Sequence, residues 1–220
     1  MEHKFIPYQQ KELTKEEQLT NSENFYQLLD KRRSIREFSN QSVDLKVIEN
    51  LIKTASTAPS GAHKQPWTFC VISNPAIKKQ IRIAAEKEEK ENYDRRMSDS
   101  WKEDLEPFGT NWEKPFIEIA PYIIVVFKKA YDLVNGEKHN NYYVNESVGI
   151  ATGMLIAAIH NAGLVTLTHT PSPMNFLAKI LNRPENERAY LLLPVGYPKK
   201  GTEVPDIQRK KLTEVLDYYE

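Results

Sequence analysis

Residues 148–159, VGIATGMLIAAI, form an uncharged run flanked by Glu146 and by His160-Asn161. The run is too short for the ~20 apolar residues that cross a bilayer, so it reads as a buried helix over residues 146–161. A helix that is apolar all round must be covered on every side. Gly149 and Gly153, four residues apart, would let a neighbour approach closely. The chain therefore needs a layer beneath this helix and a further surface above it, and a second copy of the chain is the expected source of that surface.

The layer beneath is legible in the β-rich segments 67–73 (WTFCVIS), 121–128 (PYIIVVFK), 163–170 (GLVTLTHT) and 188–195. Helical patterns alternate with them. Residues 44–57 carry Val47, Ile48, Leu51, Ile52 and Ala55 on one stripe behind a candidate N-cap, Asp44. Asn74-Pro75 opens a highly charged helix running to Arg96, and Ser172-Pro173 caps one reaching about Leu181. Strands interleaved with helices imply a sheet covered on both faces. Residues 1–23 read as a polar arm and 24–32 as a short helix, within a single domain spanning 24–220. Asn135-Gly136 marks a turn. The stretch 97–116, with Trp101, Pro107, Gly109 and Trp112, reads as a cover over the core, and the tail from about 198 as a C-terminal arm.

Several functions are excluded early. Thirty Lys and Arg balance thirty Asp and Glu, so the global field that draws proteins to nucleic acid or an acidic membrane is missing. Cys70 is the only cysteine, which forbids an internal disulfide or a cysteine zinc cage. His3, His63, His139, His160 and His169 show no HExxH spacing, so no metal is expected. The eight glycines form neither GxGxxG nor GxxxxGK[ST]. Nothing near the N-terminus resembles a signal peptide, and a soluble, cytoplasmic protein is expected.

Four groupings could carry chemistry. Arg32, Arg33 and Arg36 around Ser34 and Ile35 can orient a phosphate dianion, or they can be a solvated patch at a helix end. Ser60, Gly61 and Ala62 are small residues in a loop bounded by prolines, where backbone amides can approach a ligand, or simply a helix-to-strand connection. Thr166, Thr168 and Thr170 alternate along one strand and would share a face, as a pocket lining or through β propensity alone. Glu89 and Tyr93 lie four apart on the charged helix, but nine of the eleven residues from 86 to 96 are charged, so such pairs abound there.

Taken in order, RRSIREF, TAPSGAHKQPWTF, NAGLVTLTHTP, LLLPVGYP and VPDIQRK resemble the FMN-dependent nitroreductase superfamily. TAPSGAHxxPWTF together with the ENY and NWxK signatures resembles its iodotyrosine deiodinase branch, in one register over about 24–215. The resemblance implies an α+β sandwich, a central mixed sheet flanked by helices, built as an intertwined homodimer with FMN at the subunit interface. It implies FMN phosphate contacts from Arg32, Arg33, Ser34, Ile35, Arg36 and Arg209, and a loop contact from Ser60. Thr168, His169 and Thr170 would lie beside the flavin ring, with the Thr170 hydroxyl on flavin N5 and His169 using its backbone where relatives carry threonine. A lid over about 86–116 would place Glu89, Tyr93 and Lys114 on the zwitterion of a halotyrosine, with the Ala62 amide on its phenolate.

The activity so implied is reductive dehalogenation of 3-iodotyrosine, and of related halotyrosines, by reduced FMN, with Thr170 as the catalytic hydroxyl. A general NAD(P)H-dependent nitroreductase or quinone reductase is the alternative enzyme, and a flavin store or interaction protein the non-enzymatic one. No nicotinamide motif or fused reductase domain is visible, so the electron donor is an unidentified partner.

Overall fold

The computed structural model describes residues 4–220; His3 and the first three residues of the expected arm lie outside the described residues. The chain divides into one unit ending at Arg32 and a second, Arg33–Glu220. The first unit contains α1 (Lys15–Asp30), which begins well before the expected residue 24. Its start is set by a capping box: the Thr14 hydroxyl accepts from the Glu17 amide at 3.2 Å and the Glu17 carboxylate accepts from the Thr14 amide at 2.8 Å. The segment lacks an apolar stripe, so periodicity alone missed it.

The second unit runs α2 (Leu45–Ser56), β1 (Trp67–Ile72), α3 (Pro75–Glu91), α4 (Asp99–Leu105), α5 (Phe116–Ile119), β2 (Tyr122–Lys129), β3 (Tyr131–Val134), β4 (Glu137–Asn140), α6 (Val144–Asn161), β5 (Val165–Thr166), α7 (Asn175–Ile180) and β6 (Glu187–Gly196). Two of the three expected caps form. Asp44 accepts from the Lys46 amide at 2.7 Å, and Asn74 from Ala76 and Ile77 at 2.9 and 3.2 Å. Ser172 does not cap α7, which begins at Asn175 without a side-chain cap. Asn135 and Gly136 both take positive φ, the requirement of a tight hairpin turn, and join β3 to β4.

The main sheet has the order β1-β2-β6-β5 and is antiparallel through every ladder. The mixed character expected of it is confined, among the described residues, to one parallel bridge between Ser34 and Thr166. Alternation along β2 builds two cores. Ile124 and Val126, with Leu193 and Val195, pack toward α2 and α6. Ile123, Val125 and Phe127, with Leu192, pack toward α3, α5 and α7. The chain is thus an α+β sandwich.

Two elements bear on the site. The expected strand 163–170 shortens to β5, and pairing with β6 resumes only at the bridge between His169 and Leu192. Its outer side is taken at Thr166 by the bridge to Ser34. The charged helix is α-helical only to Glu91; residues 92–96 wind as a π turn closed by the Met97 amide on the Asn92 carbonyl at 2.9 Å. Such turns often mark functional positions. α3 is also less solvated than its composition suggested, burying Lys78, Ile81, Ala85 and Glu89 along one stripe. α6 buries Val148, Ala151, Leu155 and Ile159, while Ile150 is 47% exposed and a Cβ at Gly153 would meet nothing within 4 Å. Among the described residues no helix is long and apolar enough to cross a membrane.

Candidate active site

A cavity of about 660 Å³ opens between the C-terminal end of α3, the segment leading through α4 to α5, and the edge residues 167–173. Glu89 enters it from the last turn of α3, Tyr93 from the π turn, and Lys114 from just before α5. The Lys114 ammonium lies 3.4 Å from a Glu89 carboxylate oxygen and 5.7 Å from the Tyr93 ring centre. It also donates to the Asn111 carbonyl and, at 3.4 Å, to the Thr110 hydroxyl. Glu86 fixes the backbone, accepting from the Lys114 amide at 2.7 Å and from Arg82 at 2.7 Å.

Burial dominates the electrostatics of this corner. It pushes the Glu89 carboxyl up despite Lys114, and the Lys114 ammonium down despite Glu89. The Tyr93 phenol is raised by burial, against a hydrogen bond to Thr110. One charge pair does not offset the loss of water around both partners. The corner therefore has unmet capacity for a ligand's own ammonium and carboxylate.

The opposite wall holds Arg36, Thr168, His169 and Thr170. Arg36 is half-buried, lies 5.5 Å from the Phe108 ring centre, and pairs with no carboxylate among the described residues. Burial lowers its guanidinium from the usual value, so the charge is held where an anionic group would complete it. The register through Thr166–Val195 and His169–Leu192 puts Thr166 and Thr168 on one face and His169 on the other. Thr166 is buried, whereas Thr168 and Thr170 are exposed.

His169 departs from expectation. Its amide donates to the Leu192 carbonyl at 2.9 Å and its carbonyl accepts from the Leu192 amide at 3.0 Å. The backbone expected to meet a flavin is therefore already paired within the sheet through both its amide and its carbonyl. The ring is buried edge-on against Phe116 at 5.5 Å with Nε2 unpartnered among the described residues. Burial, and secondarily Lys114, lower its pKa to about 3.

The remaining expected residues do not line this cavity. The Arg33 guanidinium donates to the Pro205 carbonyl, bringing the C-terminal segment that carries Arg209 alongside it. Arg209 is exposed. Ile35 is a core residue whose amide donates to the Thr166 carbonyl at 3.1 Å, which holds Ser34 at the parallel bridge. Its amide and its side chain are thereby committed within the fold. Arg32 closes the N-terminal unit.

In the loop before β1, Ser60 accepts from the Gln65 amide at 2.9 Å, and the Gly61 amide donates to Ser147 at 3.3 Å. Gly61 cannot carry a side chain, because a Cβ would sit 2.8 Å from the Tyr142 carbonyl oxygen. Ala62 takes a positive φ of 49°, a conformation that costs energy outside glycine. Its amide has no acceptor among the described residues, whereas His63 and Lys64 donate to Ser60 and Gly61 at 3.0 Å. Spacing alone gave no reason to single out three further residues of the site: Glu86 acts through the Lys114 amide, Phe108 through Arg36, and Asn92, the middle residue of the ENY signature, through the Ser172 carbonyl.

The nitroreductase family model matches residues 29–197. The chain belongs to the nitroreductase family. The chain is 64% identical over 216 residues to an iodotyrosine deiodinase of Haliscomenobacter hydrossis, covering 98% of this chain and 97% of that protein. It is 46% identical over 213 residues to iodotyrosine deiodinase 1 of Homo sapiens, covering 96% of this chain and 74% of the human one. The fold matches a crystal structure of oxidized iodotyrosine deiodinase bound to FMN and 3-iodo-L-tyrosine with a TM-score of 0.79 at 32% identity, covering 89% of this chain and 98% of the other.

Proposed function

We propose that this protein removes iodide reductively from 3-iodotyrosine, using reduced FMN. The observation that carries the reading is the desolvated Glu89–Lys114 pair beside Tyr93. A carboxylate and an ammonium on one wall complement an α-ammonium and an α-carboxylate, and each incoming charge restores the ionised form of its partner. A simple nitroarene or quinone offers neither group. The 64% identical relative and the structure with 3-iodo-L-tyrosine support the same substrate.

The residues present fit FMN: a half-buried guanidinium with no carboxylate partner among the described residues, two exposed threonines on the same cavity wall, and Arg33 and Ser34 just before that guanidinium in the chain. Arg33, Ser34 and Arg209, with Arg32, would hold the phosphate, while Arg36 would serve the ring side, where its guanidinium faces the cavity. Ser60 would touch the flavin from its loop. Bound FMN supplies the electrons. In balance, two electrons and one proton enter the substrate, the carbon–iodine bond breaks, a carbon–hydrogen bond forms, and iodide leaves. Thr168 and Thr170 bind and orient at the flavin edge, with the Thr170 hydroxyl placed to hydrogen-bond flavin N5. The Ala62 amide holds the phenolate oxygen, a contact that strengthens as the site excludes water. Closure of residues 86–116 over the substrate would provide that exclusion.

A homodimer completes the reading. The open stripe of α6 around Ile150 and Gly153 is the apolar surface a second copy would cover. The C-terminal arm from about 198 would help hold the copies together. The reductant that reloads FMN is an unidentified partner.

The test is anaerobic. FMN-loaded protein, reduced with dithionite, is mixed with 3-iodotyrosine. Flavin reoxidation with one iodide released per flavin is the expected result. Rapid nitroarene reduction with NAD(P)H, without reoxidation by iodotyrosine, would assign the chain to general nitroreduction instead.

A further inference from the structure

The π turn that carries Tyr93 is bonded to the loop that carries Thr170. Asn92, buried at the start of that turn, donates its side-chain amide to the Ser172 carbonyl at 3.0 Å. Its own side-chain oxygen accepts from Arg96 at 3.2 Å, and Arg96 reaches Glu88 at 2.8 Å and the same Ser172 carbonyl at 3.5 Å. On the other side, the Ser172 amide donates to the Thr170 carbonyl at 2.7 Å. Glu89 stands three residues before Asn92 and Tyr93 one after it. One carbonyl therefore joins the helix end that faces the substrate's charges to the threonine assigned to the flavin edge.

We propose that Asn92 is a positioning residue that sets Thr170 through Ser172 when Glu89 and Tyr93 are engaged, an inference that rests on the deiodinase reading for its catalytic consequence. The π turn gives this bond its geometry. An α-helical continuation would shift the following residues around the axis, whereas the wider turn keeps Asn92 on Ser172 while Tyr93 faces the cavity. Arg96 steers the amide by holding Asn92's oxygen, leaving its nitrogen for Ser172. Coupling of this kind is reciprocal: an occupied flavin edge steadies the lid as the lid steadies Thr170.

Asn92→Asp keeps the shape and the contact to Arg96 but removes the donor to Ser172. Hydrogen exchange of FMN-loaded protein without substrate reads the coupling directly. Faster exchange in residues 89–97 and 168–174 together is expected, with β1, β2 and β6 unchanged. Asn92→Asp should also lower kcat for iodotyrosine about tenfold, the scale of one lost buried hydrogen bond, with a smaller change in KM, and Asn92→Gln should recover part of the loss. Arg96→Gln, on a partly exposed side chain, supplies the same exchange measurement if Asn92→Asp does not fold. Faster exchange in the lid alone, or an unchanged kcat with altered KM only, would overturn the proposal. Should the wild type itself fail to deiodinate, the deiodinase reading falls, and the exchange pattern still decides whether the bond links the two segments.

Discussion

Glu187–Arg183 and Glu89–Lys114 are ion pairs of low exposure whose environments push them in opposite directions. At the foot of the sheet, Glu187 accepts from Arg183 at 2.7 and 3.0 Å and from the Thr68 hydroxyl at 2.7 Å, with its side chain 2% exposed and that of Arg183 27% exposed. Burial alone would raise the Glu187 carboxyl, but those hydrogen bonds and the Arg183 charge outweigh it and hold it below the usual value. In the cavity, Glu89 and Lys114, with side chains 10% and 5% exposed, share one 3.4 Å contact, and burial wins on both sides. A carboxylate with three short bonds and a partner still touching water is a finished structural pair. The Glu89–Lys114 pair remains unfinished without a ligand.

The sharpest way to break this contrast is to exchange each pair for neutral groups. Glu89→Gln with Lys114→Met should cut kcat/KM for iodotyrosine by about 100-fold or more, while urea denaturation finds stability unchanged or raised. Arg183→Met with Glu187→Gln should do the reverse, leaving kcat/KM near wild type and costing about 2 kcal/mol through the two lost Arg183 hydrogen bonds. Equal losses of stability in both variants would erase the distinction between the pairs.

Acid separates the two regions on a different axis. His169, beside Lys114, has its folded pKa lowered to about 3 from 6.5. The unfolded chain therefore binds the extra proton first, so stability falls as pH drops from about 6.5 toward 3, by at most about 1.4 kcal/mol per unit. Glu187 is also held low, so its contribution is complete above the ordinary value of 4.5 and is lost only as pH falls through its lower folded pKa. Stability measured against pH should show the histidine limb first, and His169→Thr should flatten that limb without altering the one below pH 4.5. A wild-type curve flat down to pH 4.5 would place His169 in a wetter environment. Smallest of all, Thr68→Val removes one of the three bonds to Glu187 and should cost about 1.5 kcal/mol with no change in turnover.

Much of the scaffold was legible because its signals are local. β1, β2 and β6 announce themselves by dense apolar runs, and Asp44 and Asn74 by the side-chain oxygens that cap α2 and α3. α1 was legible too, through Thr14 and Glu17, but only to a reader of caps, since no apolar stripe marks it. The cavity residues were found by likeness of motif rather than by spacing. Glu89 and Lys114 lie on separate elements, and nothing in their separation along the chain requires contact. His169 shows the limit of that likeness: pairing with Leu192 puts its ring against Phe116, on the opposite face from Thr168. Glu86 was silent, because its role depends on an amide that any residue possesses, and Asn92 showed only as the middle residue of ENY, with no sign of the Ser172 carbonyl it bonds.

By itself the sequence determined what neighbouring residues can settle: the strands, the caps, the apolar helix that demands cover, and the absence of a glycine cradle for phosphate. It could not single out Glu89 among the charges of residues 86–96. Charged residues crowded on one helix are chemically alike, and what distinguishes them is the water each one loses. Glu88 is left at the surface edge with Arg96, while Glu89 is covered by the chain arriving at Lys114 and by the edge segment at His169. That loss of water depends on which groups the tertiary fold packs against each charge.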